Sequence, residues 1–88
     1  MTAFQLKQEV HLWADKINVK PVEVHIRKMK NKWASCSGRG RLTFNSNILD
    51  EEDGFINEVI VHELLHLKYP NHGRMFKTLL KTYVGSEL

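Results

Sequence analysis

Two histidines and a glutamate carry the chemistry written most plainly in this chain. They stand as His62-Glu63-Leu64-Leu65-His66, between Val59-Ile60-Val61 and Leu67. Residues four apart on an α-helix lie about 40° apart around it and one turn along, so both imidazoles face the same way. One Zn²⁺ can take two nitrogens so placed at about 2.0–2.1 Å. Glu63 follows the first histidine directly and projects beside such a metal rather than onto it. A carboxylate there can take a proton from a metal-activated water. H-E-x-x-H is the zinc hydrolase spacing, with the glutamate as general base.

An ordinary buried helix with two incidental histidines would show the same spacing. A third histidine argues against that reading. His72 follows His66 after a segment containing Tyr69-Pro70-Asn71. Pro70 lacks a backbone donor and pushes Tyr69 out of the α region, so the helix should end near Lys68 or Tyr69. A sharp turn there can swing His72 back over the same metal. Three protein ligands and one open position is the catalytic form of a zinc site, whereas a structural site is closed by four. The rival third ligand is Glu87, the sole acid after Glu63, but it is the penultimate residue and such positions are poorly tied down. A second donor for a developing oxyanion could come from Tyr69, Tyr83 or Arg41, and the sequence does not choose among them.

The elements that must position these groups follow from periodicity. Leu6, Val10, Trp13 and Ile17 form the stripe of an amphipathic helix over residues 3–19. His11 lies off that stripe and reads as exposed. Residues 22–29 alternate apolar and polar as a half-buried strand, with His25 on the outer face. Trp33-Ala34-Ser35-Cys36-Ser37 and Arg41-Leu42-Thr43-Phe44-Asn45 are two more strand candidates around Gly38-Arg39-Gly40. Short turns between them predict a three-stranded antiparallel meander. Arg41 to Asn45 is expected to be a sheet edge that pairs with an extended peptide. A loop from Ser46 to Gly54 leads into the histidine-bearing helix, predicted to run from Gly54 to Lys68. A last helix opens at Asn71-His72-Gly73, carries Phe76, Leu79, Leu80 and Tyr83 inward, and ends at Gly85. Met75 is expected in the core. The class is α+β.

At 88 residues the chain predicts one domain over 1–88, with a core small enough that a metal would matter to its stability. Hydrophobic residues at 42% and charged ones at 26% place it with globular rather than disordered chains. Cys36 is the sole cysteine, which excludes an intrachain disulfide and fits a reducing cytoplasm. No apolar run approaches the length of a membrane span, and no signal-peptide core precedes the first helix. The net charge of +3 is uneven: Arg27, Lys28, Lys30, Lys32, Arg39 and Arg41 fall in a stretch with no acid between Glu23 and Asp50. That stretch is either a solvated hairpin or a patch for nucleic acid or an acidic partner.

Taken together, Trp33-Ala34-Ser35-Cys36-Ser37, the strand into Phe44-Asn45, Val61-His62-Glu63-Leu64-Leu65-His66-Leu67, then Asn71-His72-Gly73 and Phe76 resemble the YgjP-like metallopeptidase domain. That family is related to SprT- and WSS-type zinc proteases. The resemblance covers about residues 20–80, in four blocks of matching order and spacing. It implies a minimal zincin-like fold: N-terminal helix, three-stranded antiparallel sheet, H-E-x-x-H zinc helix and C-terminal helix. It implies a zinc peptidase acting on peptide or protein substrates, with His62, His66 and His72 as zinc ligands and Glu63 as base. Relatives acting on DNA-attached proteins bring nucleic acid into view as a further partner. Ala34 and Gly73 depart from the family's glycine and serine, and Lys77 from its frequent tryptophan. Members often carry further chain on the N-terminal side. The His62-to-His72 spacing also equals that of the metzincins. Tyr69 stands where that pattern has glycine, however, and no Met-turn follows.

Overall fold

The computed structural model describes residues 1–85. The chain runs α1 (Ala3–Ile17), β1 (Glu23–Arg27), β2 (Ala34–Cys36), β3 (Arg41–Asn45), a 3₁₀ turn (Ser46–Asp50), α2 (Asp53–Leu65) and α3 (Arg74–Val84).

Helix α1 begins at a capping box. The Thr2 hydroxyl accepts from the Gln5 amide, and the Gln5 side chain accepts from the Thr2 amide, satisfying donors that a helix start leaves open. Asn18 ends the helix in the left-handed conformation, slightly before the expected end at residue 19. Leu6, Val10, Ala14 and Ile17 are its buried face. Trp13 is half-buried at the margin and donates through Nε1 to Asn57 Oδ1 of α2 at 3.0 Å.

Helix α2 is the centre of the molecule. It packs on α1, α3 and β2, and Ile56, Ile60, Val61, Leu64 and Leu65 are fully buried around it. A helix apolar on most sides must be enclosed, and this one is. Its last regular residue is Leu65, earlier than the predicted Lys68. The chain there tightens rather than opens: Leu67 N–H donates to Leu64 O and Lys68 N–H to Leu65 O, both at 3.0 Å.

The sheet corrects the expected meander. Its order is β1-β3-β2, with β1 parallel to β3 and β2 antiparallel to β3. β3 is therefore the central strand and not an edge. Leu42 and Phe44 are buried on the core face, and Thr43 and Asn45 are buried on the outer face because β1, β2 and the crossing loop flank them. Among the described residues, the sheet edge beside α2 belongs to β2. Residues 28–33 carry the chain from β1 across the end of β3 to β2. They must span two strand spacings, about 10 Å, which six residues cover easily. The β2–β3 turn is tight. Gly40 adopts φ +90°, and a Cβ there would lie 3.1 Å from Val22 Cγ2, so this position requires glycine.

Candidate metal centre

His62 lies in the last turn of α2, and His66 is its C-cap. His72 sits in the turn before α3, whose N-cap is Gly73. The turn forced by Pro70 brings the three imidazoles together. One ring nitrogen from each lies within 4.8 Å of the others. His66 Nε2 and His72 Nε2 are 3.0 Å apart. Two nitrogens bound tetrahedrally to one Zn²⁺ at 2.0–2.1 Å stand about 3.3–3.4 Å apart, so this spacing is close to that of shared ligands.

The surroundings orient the rings. His66 Nδ1 is 3.3 Å from the carbonyl of Tyr69, an acceptor that holds the proton on Nδ1 and leaves Nε2 free for a metal. His62 Nδ1 is 3.3 Å from Glu63 Oε2. The fully buried Phe76 ring lies beneath all three imidazoles, with centroids 5.2, 4.8 and 4.7 Å from His62, His66 and His72. Partial loss of solvent, then His62, His66 and Lys77, hold the His72 imidazole below the usual histidine range. The neutral, ligating form is thereby favoured. Three neutral nitrogen donors form a set suited to Zn²⁺.

Glu63 is 9% exposed and faces two recesses between α2 and β2. The first, about 490 Å³, is bordered by Ser35, Cys36, Glu63, His66 and Pro70. The second, about 320 Å³, is lined by Trp33, Ala34, Phe55, Glu58, Val59, His62 and Glu63, with Lys32 at both. Trp33 meets Phe55 edge-to-face at 5.4 Å and stays 40% exposed. Burial, and next the charge of Glu63, push the Cys36 thiol up, so it is a neutral thiol rather than a nucleophile.

Other sequence expectations fall elsewhere. His11 is exposed, and exposed His25 contacts Glu23. Arg41 is also tied to Glu23, and Tyr83 packs on Trp13, so neither is aimed at the histidines. Tyr69 keeps a link to the site through its carbonyl. Met75 is 54% exposed, contrary to expectation, because Phe76 and Leu80 take the inward face of α3. Glu87 lies outside the described residues. The Phe76 floor and the Tyr69 carbonyl were not foreseen. Phe76 was legible as part of an apolar stripe, but a backbone acceptor leaves no trace in residue types.

The model of the YgjP-like metallopeptidase domain matches residues 2–86 of this chain. Among solved structures, the metallopeptidase zymogen of Methanocaldococcus jannaschii jannalysin is similar, with TM-score 0.81 and 29% identity over 89% of this chain and 80% of that one. The metallopeptidase zymogen of Pyrococcus abyssi abylysin shares the fold, with TM-score 0.81 and 23% identity over 93% of this chain and 82% of that one. No curated protein sequence gives a significant match.

Proposed function

Because this chain belongs to the YgjP-like metallopeptidase family, we propose that it hydrolyses peptide bonds with Zn²⁺ held by His62, His66 and His72 and with Glu63 as general base. The observation that carries this reading is the convergence of three imidazole nitrogens within 4.8 Å, next to a buried carboxylate that faces an open cleft. Bound zinc would supply Lewis-acid polarisation of the substrate carbonyl and lower the pKa of an attacking water.

The chain's own residues do the rest. Glu63 takes the proton of the attacking water and passes it to the leaving amine. Its low exposure limits competing solvent and strengthens its interactions with charge in the cleft. The edge of β2 offers backbone groups to an extended peptide, which adds as a further strand beside the metal. The Trp33–Phe55 recess takes an apolar side chain next to the cleaved bond. The chain acts as one domain. No helix is long and apolar enough to cross a membrane among the described residues. The comparisons give no support to nucleic-acid binding through residues 27–41.

The test is metal analysis of the purified protein together with cleavage of a proteome-derived peptide library, with and without chelator. One zinc per chain and chelator-sensitive cleavage are expected. Zinc-independent cleavage, or full zinc loading with no cleavage of any peptide, would contradict the proposal.

A further inference from the structure

The connection from β1 to β2 is a clamped cationic loop. Asn45, 5% exposed, sits where the loop crosses the end of β3. Its Nδ2 donates to the carbonyls of Met29 at 3.0 Å and Lys32 at 2.9 Å, and its Oδ1 accepts from the Asn47 amide at 3.1 Å. Its own N–H donates to the carbonyl of Trp33 at 2.8 Å. Both side-chain N–H groups and the side-chain oxygen are thus used, which fixes the loop backbone at two points. Lys28, Lys30 and Lys32 are exposed on this loop, and Arg27 is exposed at the end of β1 beside it. With Met29, Asn31 and Ser35 they line a recess of about 490 Å³ whose lining contains no carboxylate. Like charges gathered on a fixed frame repel each other and raise a local positive potential, which favours an anionic partner.

The recess adjoins the cleft. Lys32 and Ser35 line both the basic recess and the one bordered by Glu63 and His66. On β2, Ala34 and Cys36 pair with Phe44 and Leu42 on the core face, while Ser35 pairs with Thr43 on the outer face. A peptide added beside β2 sends successive side chains to opposite faces. One that enters the Trp33–Phe55 recess on the core face is flanked by side chains on the outer face, where Ser35 and the cationic loop lie. Glu58 lines the core-face recess with Lys32, whereas Arg27, Lys28 and Lys30 border only the outer one of these two. Antiparallel addition, the more stable pairing, runs the peptide from the Cys36 end, where His66 borders the cleft, toward the Trp33 end. The side chain in the Trp33–Phe55 recess and the next one, which emerges on the outer face toward Lys32 and the loop, then lie C-terminal to the cut.

Resting on the peptidase reading above, we infer that this enzyme selects extended peptides in which an apolar residue just after the cleaved bond is followed by an acidic one, read by Lys28, Lys30 and Arg27. The occupant is an acidic peptide because the recess is continuous with the cleft that holds the substrate backbone.

The test resynthesises a peptide cleaved in the library with Asp, Ala or Lys at the second position after the cut. Wild type should cleave the Asp form roughly threefold to tenfold faster in kcat/KM than the Ala form, as expected for a few exposed ion pairs, with the Lys form slowest. The preference should shrink as salt rises. In the Lys28→Glu/Lys30→Glu double variant, both exposed positions, it should reverse toward Lys. Equal rates for the three peptides in wild type, or a preference for Asp on the other side of the cut, would overturn the inference. Unchanged selectivity in the variant would do so too, as would oligonucleotide binding that the variant loses while peptide selectivity stays. A separate arm needs no turnover. Zinc-loaded Glu63→Gln is titrated by NMR with acetyl-Ala-Ala-Ala-Leu-Asp-Ala-amide and its Lys counterpart. Amides of residues 28–36 should shift with the Asp peptide and far less with the Lys one. Absence of cleavage with these shifts present would sink the peptidase reading alone, and absence of the shifts sinks this inference.

Discussion

His72 is the residue on which the metal reading turns at the smallest scale. It comes from a different segment than His62 and His66, it is exposed, and its ring shares the Phe76 floor with theirs. Its pKa is lowered, so the folded state prefers the neutral ring. For the metal-free protein the sign follows directly. Stability from this group is present above the ordinary histidine range and is lost as pH falls through the lower folded value. Metal binding adds to the same dependence, because each imidazole must be deprotonated to ligate. His72→Ala should weaken zinc binding by at least about a hundredfold, beyond the 10–100-fold typical of losing an outer-shell partner. Glu87→Ala should leave it unchanged. Competition against a chromogenic chelator measures both, and the opposite ranking would transfer the third ligand to Glu87. The convergence of the three histidines could be read in the sequence because helix spacing and a proline are local signals. The Tyr69 carbonyl that orients His66 could not, since every residue has one.

At the scale of elements, the sheet is where sequence and structure part. The span of β3, Arg41–Asn45, was legible to the residue from its alternation. Its place was not. Alternation reports which residues share a face, whereas strand order depends on pairing between distant segments. Residues 28–33 are long enough to skip a strand, and nothing in their types says that they do. Asn45 makes that crossing hold. Asn45→Ala removes both donors to the Met29 and Lys32 carbonyls. The expected loss is about 1–3 kcal/mol, the range for leaving buried polar groups unsatisfied. Denaturant unfolding measures it, and amide exchange should quicken over residues 29–34. An unchanged midpoint would mean that the loop is held by other contacts. Helix limits were read to within a few residues. The early end of α2 reflects the tightened turn after His66 rather than any wrong residue.

The whole molecule is a small core built around one helix that ends in the histidine cluster. α2 supplies both buried apolar surface and two of the histidines, so anything that orders its C-terminal end also orders the core. Metal binding should therefore appear as folding stability. For a ligand bound to the native state alone, an excess of a hundred times Kd adds about 2.7 kcal/mol. Removing zinc with a chelator should lower the melting temperature markedly, and readdition should restore it. An unchanged melting curve would mean that the histidine cluster is not a metal site of consequence.

The central claim, that Glu63 beside this histidine cluster works as the base of a peptidase, is tested most directly by comparing zinc-loaded wild type with zinc-loaded Glu63→Gln on one cleavable peptide. Glutamine keeps the size and hydrogen-bonding reach of the side chain but cannot accept the proton. Zinc content and melting temperature should stay near wild type, while kcat/KM falls by about 10²–10⁴, the usual contribution of a positioned acid–base group. Equal cleavage rates in the two proteins, or a changed melting temperature with no change in rate, would contradict the account.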